Sequence, residues 1–201
     1  MPAEDKLVEV EIHRRGLRQT MDRVSYQRAW CHCVDAIEEF WSRFYAEGKD
    51  HFSNFEPWIG PINKSRRKDP VLRYLIEARH QNQHGLFTLS WSQGHYRVGE
   101  GFSGLVRNVV IYKDGSYEAA ITPNGSNQQE DLVRHVGGKP ILPSIHNART
   151  KETFCPPSSH MGQTLPQINP TAAIDAGLSY YKKLLDNARE KFLDLKNETQ
   201  P

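Results

Sequence analysis

The chain has no long apolar run and only a small excess of basic residues. No stretch is apolar enough to span a bilayer, and no charged start leads into the apolar core of a secretion signal. The formal net charge is only +2, so the composition gives no strong sign of a nucleic-acid-binding surface, although a local basic patch can exist. Three cysteines, an odd number, fit a reducing compartment. We therefore expect a cytoplasmic protein without membrane contact.

Helical periodicity is present in three parts of the chain. Apolar residues recur there at three- and four-residue steps, which predicts three helices, each with a buried face. These helices cover about residues 22–47, 69–84 and 170–196. The second and third begin with Asp or Asn directly before Pro, which is typical of a helix start. Residues 50–68 are predicted to form a loop, and alternation at Val8, Val10 and Ile12 predicts a short strand.

Between the second and third helices the pattern changes. The stretch from about 86 to 122 is rich in β-forming residues. Asp114-Gly115 lies between two β-rich runs there, which indicates an antiparallel hairpin. Residues of about 123–168 are predicted to be a long irregular arm, with a short helix at 128–136 as its one candidate element. The expected class is α+β: one domain over residues 1–201, mainly a helical bundle, with an inserted hairpin or small sheet.

Arg79, His80 and His84 are the residues that suggest chemistry, and they lie in the last turns of the second helix. A histidine can give or take a proton near neutral pH, and the fork of an arginine matches phosphate oxygens. Metal-independent RNA cleavage needs these two kinds of group, because the ribose 2′-hydroxyl is itself the nucleophile. On an ideal helix Arg79 and His84 lie roughly 140° apart. The structural alternative is that Arg79 forms an ion pair and His84 caps the helix end.

Three further residues are candidates for substrate binding. Arg67 belongs to the basic cluster at 64–68, and Arg73 lies on the same helix as Arg79. His160 lies near the end of the irregular arm, which could close over the helix end. The structural alternative for the basic cluster is an ordinary solvated surface.

Histidine spacing also leaves a metal site open as a third hypothesis. His80 and His84 are four apart on one helix face, and His160 could complete a set of metal ligands. Gln81 stands where a zinc protease would carry its general-base glutamate. Cys31-His32-Cys33 is not expected to bind metal, because residues two apart point to opposite sides of a helix. The leading hypothesis requires no metal and no cofactor.

The sequence at the end of the second helix resembles the motif of the HEPN superfamily. An apolar helix leads there into Ala78-Arg79, then four further residues, then His84-Gly85. In that family an arginine precedes a histidine by four to six variable residues, and His80 stands where the family often has Asn, Asp or His. Pro156-Pro157 and the His160 segment, before a terminal helix, are similar to a group of uncharacterised bacterial proteins. The resemblance covers about residues 22–86 and 153–195.

This resemblance implies a helical bundle, a homodimer and metal-independent endoribonuclease activity. Arg79 would neutralise the scissile phosphate, His84 would act as general acid or base, and His80 would support orientation. Other members of the superfamily are inactive scaffolds or modules that bind nucleotide. The alternative for this chain is therefore a non-catalytic module that binds a nucleotide, an RNA or another protein.

Overall fold

The computed structural model describes residues 2–19, 22–98, 104–111, 117–123, 133–165 and 168–197. It is mainly helical, with small antiparallel sheets of two strands each, so the α+β class is confirmed. Where the sequence predicts one domain over residues 1–201, contacts between residues divide the chain into two compact units. The first unit comprises Met1–Leu89 and Leu142–Pro201, and the second comprises Ser90–Ile141.

The described part of the first unit contains five helices. They are α1 (Ala3–Gln19), α2 (Arg23–His51), α3 (Phe55–Arg66), α4 (Pro70–Gln83) and α5 (Pro170–Asn197). The three helices predicted from periodicity correspond to α2, α4 and α5. Helices α1 and α3 stand where the sequence predicted a short strand and a loop, and both of those predictions were wrong.

The strand prediction failed because α1 has its apolar face at helical spacing. Leu7, Val10 and Leu17 are buried on that face, whereas Val8 and Ile12 are exposed. Alternation over five residues is too short to exclude a helix, and the buried positions follow three- and four-residue steps and their multiples. The helical periodicity of α1 is therefore visible only over a longer stretch than the alternating residues 8–12.

The loop prediction failed at α3 because its prolines are compatible with a short helix. Pro57 lies in the first turn, where its missing N–H would have had no partner within the helix. Pro61 lies inside the helix and removes one hydrogen bond there. Burial of Phe55 and Ile59, each 1% exposed, stabilises α3 against the rest of the unit.

The core of the first unit lies among α1, α2, α4 and α5. Helix α2 contacts the other four helices, and α5 contacts α1, α2 and α4. Trp30 and Phe40 of α2 are fully buried, and the Tyr181 ring of α5 meets Phe40 edge-on at 5.4 Å between centroids. Gly177 permits α5 to approach α4 closely, because a Cβ there would lie 2.7 Å from Cδ1 of Leu75.

A buried ion pair joins the end of α3 to α2. Arg66 is 4% exposed although it belongs to the basic cluster at 64–68, and its guanidinium donates to the Glu38 carboxylate. Its Nε donates to the Tyr181 hydroxyl at 2.6 Å, and its guanidinium carbon lies 4.5 Å from the centre of the Trp41 ring. The cluster is therefore only partly a solvated surface.

The strands of the second unit are β1 (Ser90–Trp91), β2 (His95–Val98), β3 (Gly104–Ile111), β4 (Tyr117–Pro123), β5 (Val133–Val136) and β6 (Pro140–Ile141). They pair antiparallel as β1–β6, β2–β5 and β3–β4. The pairing of β3 with β4 confirms the predicted hairpin, whose Asp114-Gly115 turn lies outside the described residues. Strand β5 corrects the predicted helix at its C-terminal end, and residues 128–132 lie outside the described residues.

From Leu142 onward the predicted arm belongs to the first unit, and its described residues are more regular than the sequence predicts. It contains β7 (Ile145–His146), β8 (Thr153–Phe154), β9 (Ser159–His160) and β10 (Gln163–Thr164). Strand β7 pairs with β8, and β9 pairs with β10. Helix α4 contacts both β7 and β9, so these two hairpins lie along α4.

Candidate functional site

The C-terminal end of α4 lines two different cavities of the first unit. Arg79 lines a cavity of about 450 Å³ together with residues of α1 and α2, which we call the inter-helix cavity. His80 and His84 line a cavity of about 460 Å³ together with the turn after β7, which we call the hairpin cavity. Gln83 lines both. The structure therefore does not bring Arg79 and His84 into one cavity, and the roughly 140° between them on an ideal helix favours this separation.

The position of His84 is fixed by the way in which α4 ends. His84 is the C-cap, and Gly85 follows with φ +67°, a conformation that favours glycine. The Gly85 N–H donates to the Asn82 carbonyl at 2.9 Å, and the Leu86 N–H donates to the Gln81 carbonyl at 3.0 Å. These two bonds form a Schellman motif. The sequence pair His84-Gly85 thus places an exposed imidazole at the end of the helix.

The far wall of the hairpin cavity is held against α4 by side-chain hydrogen bonds. Asn147 Nδ2 donates to Glu77 Oε2 at 2.9 Å, and Asn147 Oδ1 accepts the backbone N–H of Arg149 at 3.0 Å. Gln81 Nε2 donates to the His146 carbonyl at 2.6 Å. Asn147 therefore shapes the turn that carries Arg149 and at the same time ties that turn to the helix.

The hairpin cavity combines one permanent cation with several imidazoles. Its walls carry the imidazoles of His80, His84 and His146 and the guanidinium of Arg149, against the single carboxylate of Glu77. That carboxylate already accepts a hydrogen bond and lies 3.8 Å from Nδ1 of His80. A phosphate would find a permanent positive charge here, together with imidazole nitrogens that can form hydrogen bonds.

The predicted substrate-binding arginines lie outside this cavity. The Arg73 guanidinium donates to both carboxylate oxygens of Glu152 at 2.9 Å and lies 4.6 Å from the centre of the Phe154 ring. It therefore holds β8 to α4. Arg67 is the exposed C-cap of α3, where its backbone N–H donates to the Asn63 carbonyl at 3.1 Å.

His160 lies at the opposite end of α4 from His84. Its Nδ1 lies 2.9 Å from Oδ1 of Asp69, and the other oxygen of that carboxylate accepts the Met161 N–H at 2.6 Å. Asp69 is also the N-cap of α4 and accepts the Leu72 N–H. At 1.5 Å per residue, the helix separates Asp69 from His84 by about 22 Å. The arm therefore does not bring His160 over His84, a placement that the sequence left open.

The position of His160 also rules out the hypothesis that His80, His84 and His160 bind one metal ion. Asp69, the partner of His160, lies about 16 Å along the helix from His80, too far for shared ligation of one ion. Within the described residues, no group of three or more His, Cys, Asp and Glu side chains is arranged to hold a metal. Cys33 is fully buried on α2, as the helical spacing predicts.

The sequence analysis missed two histidines that line the inter-helix cavity with Arg79. His13 of α1 and His32 of α2 stack their rings at 4.9 Å between centroids, with 25° between the ring planes. Burial, together with the neighbouring His32, lowers the pKa of His13 below its ordinary value. No pattern in a single sequence links the two, because α1 was predicted as a strand.

Comparison of the chain with protein-family models, with curated proteins and with solved structures finds no match. Among the described residues, no helix combines the length and the apolar character that a membrane span requires.

Proposed function

We propose that the chain is a metal-independent endoribonuclease of the HEPN type, with the hairpin cavity as its active site. The observation that carries this proposal is the convergence of His80 and His84 with His146 and Arg149 on one open cavity. The packing of four long helices in the first unit also agrees with the bundle that the HEPN resemblance implies. Arg149 takes the phosphate-binding role that the sequence assigned to Arg79.

The chemistry requires two proton transfers and one fixed cation. One imidazole accepts the proton of the ribose 2′-hydroxyl as that oxygen attacks the phosphorus, and a second imidazole protonates the departing 5′-oxygen. His84 and His80 fill these roles, while Arg149 stabilises the charge on the phosphate oxygens. The products are a 2′,3′-cyclic phosphate and a 5′-hydroxyl. Asn147 is a positioning residue, because it holds the turn of Arg149 against Glu77.

A second candidate function is binding of a nucleotide or a phosphate without cleavage. It is favoured by the separation of Arg79 from His84, because the pair that the HEPN resemblance makes catalytic does not share a cavity in this chain. The homodimer implied by the same resemblance stays a prediction, and light scattering of the purified protein measures it directly.

The test is cleavage of a mixed RNA pool in EDTA by the wild-type protein and by His84→Ala and Arg149→Gln. We expect wild-type cleavage that leaves 2′,3′-cyclic phosphate ends. Loss of a proton-transfer group lowers the rate by about 10²–10⁴-fold, and loss of Arg149 lowers it by roughly 10²-fold. His51→Ala and Arg28→Gln, which change exposed residues of α2 outside both cavities, serve as matched controls.

Two results would contradict the nuclease proposal. Cleavage that persists in His84→Ala would show that another site, or a contaminant, cuts the RNA. Absence of cleavage, together with nucleotide binding that needs Arg149, would establish the second candidate instead.

A further inference from the structure

The inter-helix cavity is polar but nearly balanced in charge. Three carboxylates line it, those of Glu9, Asp35 and Glu39. Two cations offset two of them: Lys6 Nζ lies 2.8 Å from an oxygen of Glu9 and 2.8 Å from an oxygen of Glu39, and Arg43 Nη2 lies 3.7 Å from Glu39. Asp35 and Arg79 then remain as one negative and one positive group. A cavity of this kind does not select a phosphate and is suited to a neutral polar ligand.

Asp35 and Arg79 face each other without a direct hydrogen bond. Arg79 Nε lies 4.0 Å from Asp35 Oδ1, and this buried nitrogen has no hydrogen-bond partner among the described residues. Asn82 Nδ2 donates to the other Asp35 oxygen at 3.0 Å and fixes the carboxylate. Burial raises the pKa of Asp35 although Arg79 acts in the opposite direction. The pair thus presents an acceptor and a donor that are not satisfied by each other.

The stacked imidazoles supply an aromatic surface beside this pair. His13 is half-buried and His32 is exposed, with their rings 4.9 Å apart. Flat aromatic side chains are the surfaces on which unpaired bases stack, and polar side chains then bind the base edges. The cavity volume of about 450 Å³ lies within the range of roughly 300–1,000 Å³ that small-molecule sites occupy.

We propose that the inter-helix cavity binds a guanine base, stacked on the exposed His32 ring, which itself stacks on His13, and held by Asp35 and Arg79. Guanine alone among the common bases presents two adjacent donors, N1–H and the N2 amino group, which match the two oxygens of a carboxylate. Its O6 is an acceptor for the Arg79 guanidinium. This site goes beyond the proposed nuclease function, since a nucleoside without any phosphate would occupy it.

The other bases fit this arrangement less well. Adenine and cytosine each place an acceptor beside their single amino donor, and that acceptor would face a carboxylate oxygen. Uracil presents one N–H between two carbonyls. With the wrong base, a polar group of the site would stay buried without a hydrogen bond. It would have lost its hydrogen bond to water without gaining another, so such a site discriminates strongly against that base.

The experiment is calorimetric titration of the full chain at neutral pH with guanosine, adenosine, cytidine and uridine in turn. We expect saturable binding of guanosine with at least about tenfold weaker binding of the others. Asp35→Asn and Arg79→Gln are each expected to weaken guanosine binding by about 10–100-fold. Asp186→Asn, on the exposed face of α5 and outside both the inter-helix and hairpin cavities, is the matched control. Circular dichroism verifies that every variant is folded.

Equal binding of all four nucleosides, or guanosine binding that Asp35→Asn leaves unchanged, would overturn the guanine site. Failure of the folded wild-type protein to bind guanosine at millimolar concentration would also overturn it. Because guanosine has no phosphodiester bond, this result is separate from RNA cleavage. Cleavage that requires His84 without guanosine binding would refute this inference and leave the proposed function standing.

Discussion

Arg66 offers the sharpest test of what holds the helical unit together. Its side chain is 5% exposed and that of its partner Glu38 is 9% exposed, so neither charge is solvated to any useful extent. Replacement by Met keeps most of the volume but leaves the Glu38 carboxylate buried without its cation. One oxygen of Glu38 already has no hydrogen-bond partner among the described residues. Removing one member of a buried pair costs about 3–5 kcal/mol in free energy of unfolding.

For a protein of this size, that loss corresponds to a fall in melting temperature of roughly 6–20 °C. Urea unfolding of Arg66→Met, compared with wild type, measures the free energy directly. Arg67→Met is the control, because the adjacent arginine is exposed and its loss is expected to change stability by only about 0.5 kcal/mol. The double variant Glu38→Met/Arg66→Met should be less destabilised than Arg66→Met alone. A loss below about 1 kcal/mol in Arg66→Met would refute this reasoning.

Two further predictions concern the packing of α5 and the inter-helix cavity. Gly177→Ala would place a Cβ 2.7 Å from Cδ1 of Leu75. Overpacking costs about 1–3 kcal/mol and the better helix propensity of Ala offsets about 0.5–1 kcal/mol, so we expect a net loss of about 0.5–2 kcal/mol in urea unfolding. A variant more stable than wild type would contradict the close approach of α5 to α4. The pKa of His13 is lowered in the folded protein, so protonation favours the unfolded state. The free energy of unfolding should therefore fall as the pH drops below about 6.5, and it should level off below the lowered pKa of the folded state. His13→Gln should remove that part of the pH dependence, and an identical pH profile in both proteins would show that His13 does not contribute to it.

Periodicity predicts α2, α4 and α5 because each has a long buried face and two of them begin with a clear Asp-Pro or Asn-Pro start. It fails for α1 and α3 because the decisive information there is tertiary. The apolar face of α1 is interrupted by the buried polar Lys6, and α3 contains two prolines that a short helix accommodates. The burial of Arg66 depends on a glutamate 28 residues earlier in the chain, which no local pattern reveals.

For the candidate sites, too, local sequence patterns predict some features, and contacts between distant residues decide the others. That Arg79 and His84 share the last turns of one helix follows from the sequence, but the cavity that each lines is set by the elements packed on either side of α4. The partners of each group come from other elements: Arg149 from the turn after β7, and His13 from α1. Sequence spacing within one helix could suggest the chemistry, but it could not show which side chains meet across helices and hairpins.

The pairing of β1 with β6 has a consequence for how this chain is assembled. Ser90 pairs with Ile141, and Trp91 pairs with Pro140, so the first and last residues of the second unit are neighbours in one ladder. Partners in an antiparallel ladder have Cα atoms about 5 Å apart. For the helical unit, the 52 residues of Ser90–Ile141 therefore form a loop whose two ends already lie close together, and lengthening such a loop adds little entropic cost. The length of the insertion therefore contributes little to the free energy of unfolding of the helical unit.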